Sequence, residues 1–517
     1  MTSPTRVFQG ADAGRLDLGA VADELAGRYT IARGPVRRVR CRRLDTADRR
    51  MGAAGLTLDD QTAPRSRRLV LGRADGSQAV AVVGDLRWPA LAEALPAGPL
   101  ADEVVPVLGI RALTVVADDL RSWQRWDLQD GEGKTVARVD VDEPIGDDGR
   151  PVVLTIQALR GYDDDARRVA RLLLRGGLRP VEPAAPDQVA DVQPVQAGPD
   201  RPAVVVLTDA LIAFEAAMRA NLPGVLADVD TEFLHEFRVA LRRTRTTLRL
   251  GRSVVPARWR SDWEPEFAWV GALTTPVRDL DVYVLGLPTM AGWLVAADPA
   301  DLRPFALHLA RRRSAARATM VRGLRSARFR RLQTGWDMAL AELAAESVDG
   351  RPGGAAGEDG GEAGNDVISA GVLAGRQLDR AHRRVVRDGT SISAASPADD
   401  LHRLRGRCKA LRYALEVFEP VAEPRTGRKA IADLKGLQDV LGRFQDAEVQ
   451  HRALREFADE MMLEGVPAAA LLALGELITH LDAEQARARR EFDRAFTDFV
   501  QTSGTTAARL HRLGGGT

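Results

Sequence analysis

Two segments in the second part of this chain are versions of one helix. Residues 234–250 read LHEFRVALRRTRTTLRL and residues 401–418 read LHRLRGRCKALRYALEVF. His235, Arg238, Arg242 and Arg245 stand at the same spacing as His402, Arg405, Lys409 and Arg412, and a single offset in numbering relates every pair. The offset persists downstream, where VRDLDV at 277–282 aligns with FQDAEV at 444–449 and sets Asp279 against Asp446 and Asp281 against Glu448. A basic helix arising by chance has no reason to repeat an acidic pair at the same later distance. An internal duplication accounts for both and constrains the fold: this part of the chain is two copies of one helical unit.

Within each copy the cations recur in steps of three and four, which puts them on one helix face. Arg249 extends the first row. An apolar row lies one position earlier in both: Leu234, Phe237, Leu241, Thr244 and Leu248, then Leu401, Leu404, Cys408, Leu411 and Leu415. One position is about 100° of helix rotation, so the cations border the buried seam instead of occupying the far solvated face. His235 to Arg249 spans about 21 Å at the helical rise. Such a row repels itself unless acids or an anionic ligand offset it. Glu236 is the one acid within 234–250, and it lies off the row. An ordinary solvated arginine face is the plainer reading, but two rows in the same register favour anion binding. Metal ligation by His235 or His402 is not expected, because the neighbouring arginines oppose a bound cation.

Charge must be segregated locally, since the 517 residues carry a formal net charge of only +1. The length suggests roughly two to four domains. Residues 180–202 hold six prolines and read as a linker, and residues 349–365 hold seven glycines and read as a flexible insertion. The last residues, from 506 to 517, read as a loose tail. Before the linker, short β-like runs at 67–71, 79–83 and 135–141 are separated by Gly and Asp turns, the pattern of an α+β domain with an antiparallel sheet. After residue 203 the period shifts to 3.6 and the chain reads as all-helical. Residues 303–331 hold ten arginines and no acid, and Arg311, Arg312, Arg313 and Arg317 there are a candidate secondary basic surface. The two cysteines, Cys41 and Cys408, form no disulfide framework or zinc site. With no signal-like start and no long apolar run, a cytoplasmic protein without membrane contact is the expectation.

Five pieces of the second part, HEFRVALRRTR, WVGALTTPVRDLDV, RSARFRRL, HRLRGRCKALRYALEVF and LKGLQDVLGRFQDAEV, together resemble the CHAD family over residues 203–505. The resemblance implies two pseudo-symmetric helical bundles that bind inorganic polyphosphate, often at polyphosphate granules. His235, Arg238, Arg242, Arg245, His402, Arg405, Lys409 and Arg412 would then line a central basic cleft. Polyphosphate suits such a row on chemical grounds too: Arg presents a planar fork to phosphate oxygens and Lys a compact charge. Asp279, Asp281, Asp446 and Glu448 are expected to brace these cations; ordinary surface ion pairs are the alternative.

Residues 1–180 resemble, more weakly, the CYTH or triphosphate-tunnel family, through LDTADRRMGAAGLTL at 44–58 and DGEGKTVARVDVDE at 130–143. That resemblance implies a tunnel-type antiparallel β-barrel holding triphosphate through Arg and Lys, with acids binding a divalent metal. The family's Glu-x-Glu-x-Lys strand is missing, and RVFQGADAGRLDL stands in its place. Asp59 and Asp60 follow Gly55-Leu56-Thr57-Leu58 where the family supplies arginine. Loss of the glutamates removes metal ligands, and the two acids repel phosphate, so the domain reads as degenerate. Arg111, Arg125 and Arg138 are candidate surviving tunnel cations.

The expectation is a non-catalytic polyphosphate-binding protein with no catalytic residues, metal or cofactor. The alternatives are a metal-dependent triphosphatase working through the N-terminal domain, and a nucleic-acid-binding protein using the basic helices. Scarce tyrosine and core-like Trp259, Trp263 and Trp269 weigh against the latter.

Overall fold

The computed structural model describes residues 6–10, 16–64, 66–74, 77–145, 152–180, 198–255, 258–348, 368–393, 395–419, 421 and 424–511. The glycine-rich stretch 349–365 and most of the proline-rich stretch 181–202 lie outside the described residues. The chain divides into two compact units, Met1–Asp191 and Val192–Thr517.

Among its described residues the first unit has ten antiparallel strands: β1 (Arg6–Gly10), β2 (Thr30–Arg33), β3 (Arg37–Asp45), β4 (Leu56–Ala63), β5 (Ser66–Arg73), β6 (Gln78–Val82), β7 (Thr114–Gln129), β8 (Thr135–Pro144), β9 (Val153–Ala158) and β10 (Leu178–Pro180). They form one curled half-barrel in the order β10-β1-β9-β8-β7-β3-β4-β5-β6, with β2 also paired to β7. Accompanying it among the described residues are the helices α1 (Leu18–Ala26), α2 (Arg50–Ala53), α3 (Pro99–Leu108) and α4 (Asp163–Arg175). The period-two alternation read at 135–141 is realised in β8, where Val139 and Val141 are buried. With Trp126, Leu128, Leu154 and Ile156 they pack on α1 and α4, through Leu25, Val169 and Leu173. Leu44, Leu58, Leu69 and Leu71 pack similarly on α3.

The opposite face of that sheet is polar, and its charges are matched in pairs. Arg43 meets Asp59 at 2.5 Å, Arg121 meets Asp142 at 2.5 Å, Arg125 meets Asp140 at 2.7 Å and Arg138 meets Asp127 at 3.2 Å. Arg111 is buried and lies 3.3 Å from Asp48. On the helix-covered face, two positions from Leu58, Asp60 accepts from both Arg67 and the indole of Trp88. The cations proposed for a tunnel, Arg111, Arg125 and Arg138, therefore each face a carboxylate of their own fold. Strand β1, RVFQG, occupies the first position in sequence and carries no acid.

The second unit is helical among its described residues: α5 (Ala203–Ala227), α6 (Thr231–Leu250), α7 (Arg258–Ala291), α8 (Arg303–Leu324), α9 (Ala327–Val348), α10 (Ala370–Thr390), α11 (Ala398–Val417), α12 (Pro424–Leu463) and α13 (Ala468–His511). Helix α13 runs into the stretch expected to be tail, and 512–517 lie outside the described residues. One core joins α5, α6, α7 and α9 around Phe237, Leu241, Phe267 and Trp336. A second joins α10 to α13 around Leu404, Cys408, Leu434 and Phe492. A third fuses the far ends of α7, α8, α12 and α13 through Phe305, Leu309, Phe457 and Leu474. Trp259 and Trp263 both stand edge-on to Trp336 in the first core, 5.1 and 5.5 Å between ring centres. Trp269 is covered by Arg328.

The duplication is visible in the backbone. Ala203 donates to the carbonyl of Ile368 at 2.9 Å, and Ala370 donates to the carbonyl of Arg201 at 2.7 Å. The offset that relates the basic rows also carries Ala203 onto Ala370 and Arg201 onto Ile368. The two bonds therefore exchange across a local pseudo-twofold axis at the start of both copies.

Candidate anion-binding groove

Helix α6 starts where the chain can no longer continue α5. Asp228 takes the left-handed conformation at φ 56°, and Asp230 then caps α6 by accepting from the backbone N–H groups of Glu232 and Phe233. Asp399 and Asp400 occupy the first turn of α11, where carboxylates suit the helix dipole. Both apolar rows are buried as their spacing requires: Leu234, Phe237, Leu241, Thr244 and Leu248 on α6, and Leu401, Leu404, Cys408, Leu411 and Leu415 on α11. Burial of those rows fixes the rotation of each helix, and so aims the cations beside them.

The two basic helices meet. The Arg242 guanidinium lies 4.6 Å over the ring of Tyr413, and Arg243 reaches Glu416 at 3.5 Å. Burial lowers the proton affinity of Lys409, and the charges of Arg405 and Arg242 lower it further. Arg242 and Lys409 are matched positions of the repeat, so the two rows approach one another at their centres.

The first row is held without being neutralised. One terminal nitrogen of Arg238 donates to Thr274 Oγ1 at 2.7 Å, Thr275 Oγ1 at 3.0 Å and the Gly271 carbonyl at 3.1 Å, all on α7. Burial pulls its proton affinity down, with Asp279 opposing. Gly271 also leaves room for Arg245, whose terminal nitrogen lies 3.3 Å from where a β-carbon would stand. Arg249 donates to the Arg245 carbonyl. Burial, and then the charge of Arg278, lower the proton affinity of His235. Glu232 and Glu236 flank the same histidine on the first turns of α6, their ligand atoms and its own within 4.8 Å of one another.

The second row is more closely paired. His402 Nε2 lies 2.7 Å from Glu448, Arg405 donates to Asp446 at 3.0 Å and to Gln445 at 2.9 Å, and Arg412 donates to Glu416 at 2.9 Å. Lys409 has no carboxylate in contact among the described residues.

Of the four acids, Asp446 and Glu448 contact the row, Asp279 supports Arg238 through space, and Asp281 turns elsewhere. Asp281 is fully buried and accepts from Arg313 at 2.6 Å. Arg313 also forks onto Asp228, which Arg317 approaches at 3.1 Å. Arg311 pairs with Glu464 and Arg312 with Glu460. All four arginines of the proposed secondary surface are thus tied to carboxylates from other elements.

Sequence reasoning missed Arg278. One of its terminal nitrogens is buried with no hydrogen-bond partner, and its charge acts on His235, Arg238 and Asp279. The comparison of repeats hid it, because its matched position is Gln445. Its place three positions after Thr275, one helical turn along α7 from the partners of Arg238, is the signal that finds it.

No curated protein matches the chain. Among solved structures it is similar to the CHAD domain from the plant Ricinus communis, with 23% identity over 60% of this chain and 95% of that one and a TM-score of 0.47. It is also similar to PptA from Streptomyces chartreusis, with 21% identity over 57% of this chain and 99% of that one and a TM-score of 0.42. The CHAD family model matches residues 209–455, which contain α6, α7, α11 and both basic rows. Residues 209–455 of this chain are a CHAD domain.

Proposed function

We propose that the helical unit binds inorganic polyphosphate along the groove where α6 and α11 meet, without chemistry, and that it does so in the cytoplasm and at polyphosphate granules. The observation that carries this reading is a cluster of cations lacking carboxylate contact among the described residues: Arg238, Arg242, Arg245, Arg249, Arg278 and Lys409. Holding so many like charges together is costly in the empty protein, and a polyanion relieves that cost. The CHAD family's association with polyphosphate binding supports the same ligand.

The N-terminal unit serves as scaffold in this reading. Its sheet cations are already satisfied by Asp59, Asp127, Asp140 and Asp142, and β1 lacks the acids that a catalytic metal would need.

The test is direct binding of long-chain polyphosphate to the full chain near physiological salt, with RNA and DNA as competitors. Affinity that falls steeply with added salt and survives excess nucleic acid is the expected result, because neutralising a polyanion releases counterions. The combined H235N/R238Q/R242Q/R245Q variant should stay folded and lose binding. Unchanged affinity in that variant overturns the groove assignment, and ready displacement by nucleic acid overturns the choice of ligand.

A further inference from the structure

The arginine run at 303–331 is neutralised in its middle and open at its end. Arg311, Arg312, Arg313 and Arg317 are tied to carboxylates from other elements. Beyond them, five of the ten residues from 322 to 331 are arginine and none is acidic. They surround the turn from α8 to α9, and all five are exposed. Arg328 forks onto Glu266 of α7 at 2.8 and 2.9 Å. Arg322 donates to Thr319 Oγ1 at 3.0 Å, and Arg322, Arg325, Arg330 and Arg331 have no carboxylate in contact among the described residues.

This corner stands on the far side of α7 from the groove. Gly271 and Thr275 of α7 accept from Arg238 on the groove side. Trp269 lies under the Arg328 guanidinium, 4.2 Å from its ring centre, and Leu273 fills the space beside Gly323 of α8. Trp269 is two positions from Gly271, and Leu273 is two positions from Thr275, about 200° of helix rotation in each case. A helix about 10 Å across therefore separates the two cationic surfaces.

Resting on the polyphosphate reading, we infer that the α8–α9 corner is a second polyphosphate-binding surface, so that one domain holds a chain in the groove and another at the corner. The ligand follows from what the corner presents. Its exposed guanidiniums offer planar forks to phosphate oxygens. Trp269 is covered by Arg328 and packed on the first core, so it gives no platform on which a base could stack. The corner reads phosphate charge and nothing else. With cationic surfaces on opposite sides of α7, the domain joins two chains. Its consequence is cross-linking: the protein gathers polyphosphate into a dense phase as well as binding it.

Bridging is measured by capture of fluorescently labelled long-chain polyphosphate on polyphosphate-coated beads, with the full chain as the only link. The unmodified protein should capture label. The R322Q/R325Q/R330Q/R331Q variant replaces exposed side chains and leaves Arg328 on Glu266, so it should melt as the parent does. It should keep most of its affinity for free polyphosphate, through the groove, while capturing at least about tenfold less label. A corner variant that captures label as the parent does overturns the inference and leaves the groove assignment standing. An unmodified protein that binds polyphosphate but never bridges it does the same. Loss of bridging on adding RNA, with direct polyphosphate binding intact, overturns the choice of ligand at the corner. Failure of the unmodified protein to bind polyphosphate at all removes the polyphosphate reading itself.

Discussion

The Arg242 guanidinium sits over the face of Tyr413, 4.6 Å from the ring centre, and this stack carries the basic row of the first copy onto the helix of the second. It positions a cation without discharging it, as the threonines of α7 do for Arg238. On the proposed reading, a phosphate arriving at Arg242 meets a guanidinium already oriented and without a carboxylate contact among the described residues.

Replacing Tyr413 by Ala should weaken polyphosphate binding by about two- to fivefold, the worth of one exposed cation–π contact, with little change in melting temperature. Tyr413→Phe, which keeps the aromatic face, should bind as the parent does. Parallel affinity measurements on the two variants decide whether the ring acts through its face or its hydroxyl.

On the proposed reading, His235 gives polyphosphate binding a pH dependence. Burial, then Arg278, depress its proton affinity below the ordinary 6.5 in the empty protein, and a bound phosphate chain raises it. The bound state thus takes up a proton, and affinity should rise as pH falls through and below 6.5. The sign for folding is opposite. A histidine depressed on folding contributes stability that is complete above the unfolded value and is lost as pH falls toward the folded one. Calorimetry in buffers of different ionisation heat should detect proton uptake on binding, and His235→Asn should reduce it.

Glu215 on α5 is 9% exposed, and burial followed by Asp337 pushes its carboxyl up to about 7 from 4.5. The folded state holds a proton there that the unfolded state releases, so stability is complete below 4.5 and declines as pH rises toward and through 7. Glu215→Gln removes the charge and should stabilise the protein by on the order of 1–3 kcal/mol at about pH 8, and far less at about pH 5. Denaturant titrations at the two pH values read the difference; a constant gap would mean that Glu215 is ionised throughout.

Arg313 holds the buried carboxylate of Asp281 and also Asp228. Arg313→Met should cost about 3–5 kcal/mol, because it strands a charge at a site with no exposure. Adding Asp281→Asn to the same variant should recover a large part of the loss. Denaturation midpoints of the single and double variants measure the coupling.

Much of this was legible in the sequence because it depends on period and register. The constant offset between the copies and the buried rows from Leu234 to Leu248 and from Leu401 to Leu415 need only helix geometry to interpret. The alternation in β8 needs only the pleat. Charge compensation was illegible, because it is settled by contacts far apart in the chain. Residues 303–331 contain no acid, yet Arg311, Arg312 and Arg313 find Glu464, Glu460, Asp228 and Asp281 on other elements. Arg125 and Arg138 looked like tunnel cations until cross-strand register set Asp140 and Asp127 beside them. Looking for what the copies share also concealed Arg278, whose importance lies in a difference.

The reciprocal bonds between Ala203 and Ile368 and between Ala370 and Arg201 are those that two identical half-length chains make when they pair about a twofold axis. In such a pair every substitution appears twice, so an acid placed beside one row would stand beside the other as well. Joining the copies in a single chain lifts that restriction. Arg249 and Glu416 now occupy one ancestral position with opposite charge, an inheritance that a symmetric dimer has no means of dividing.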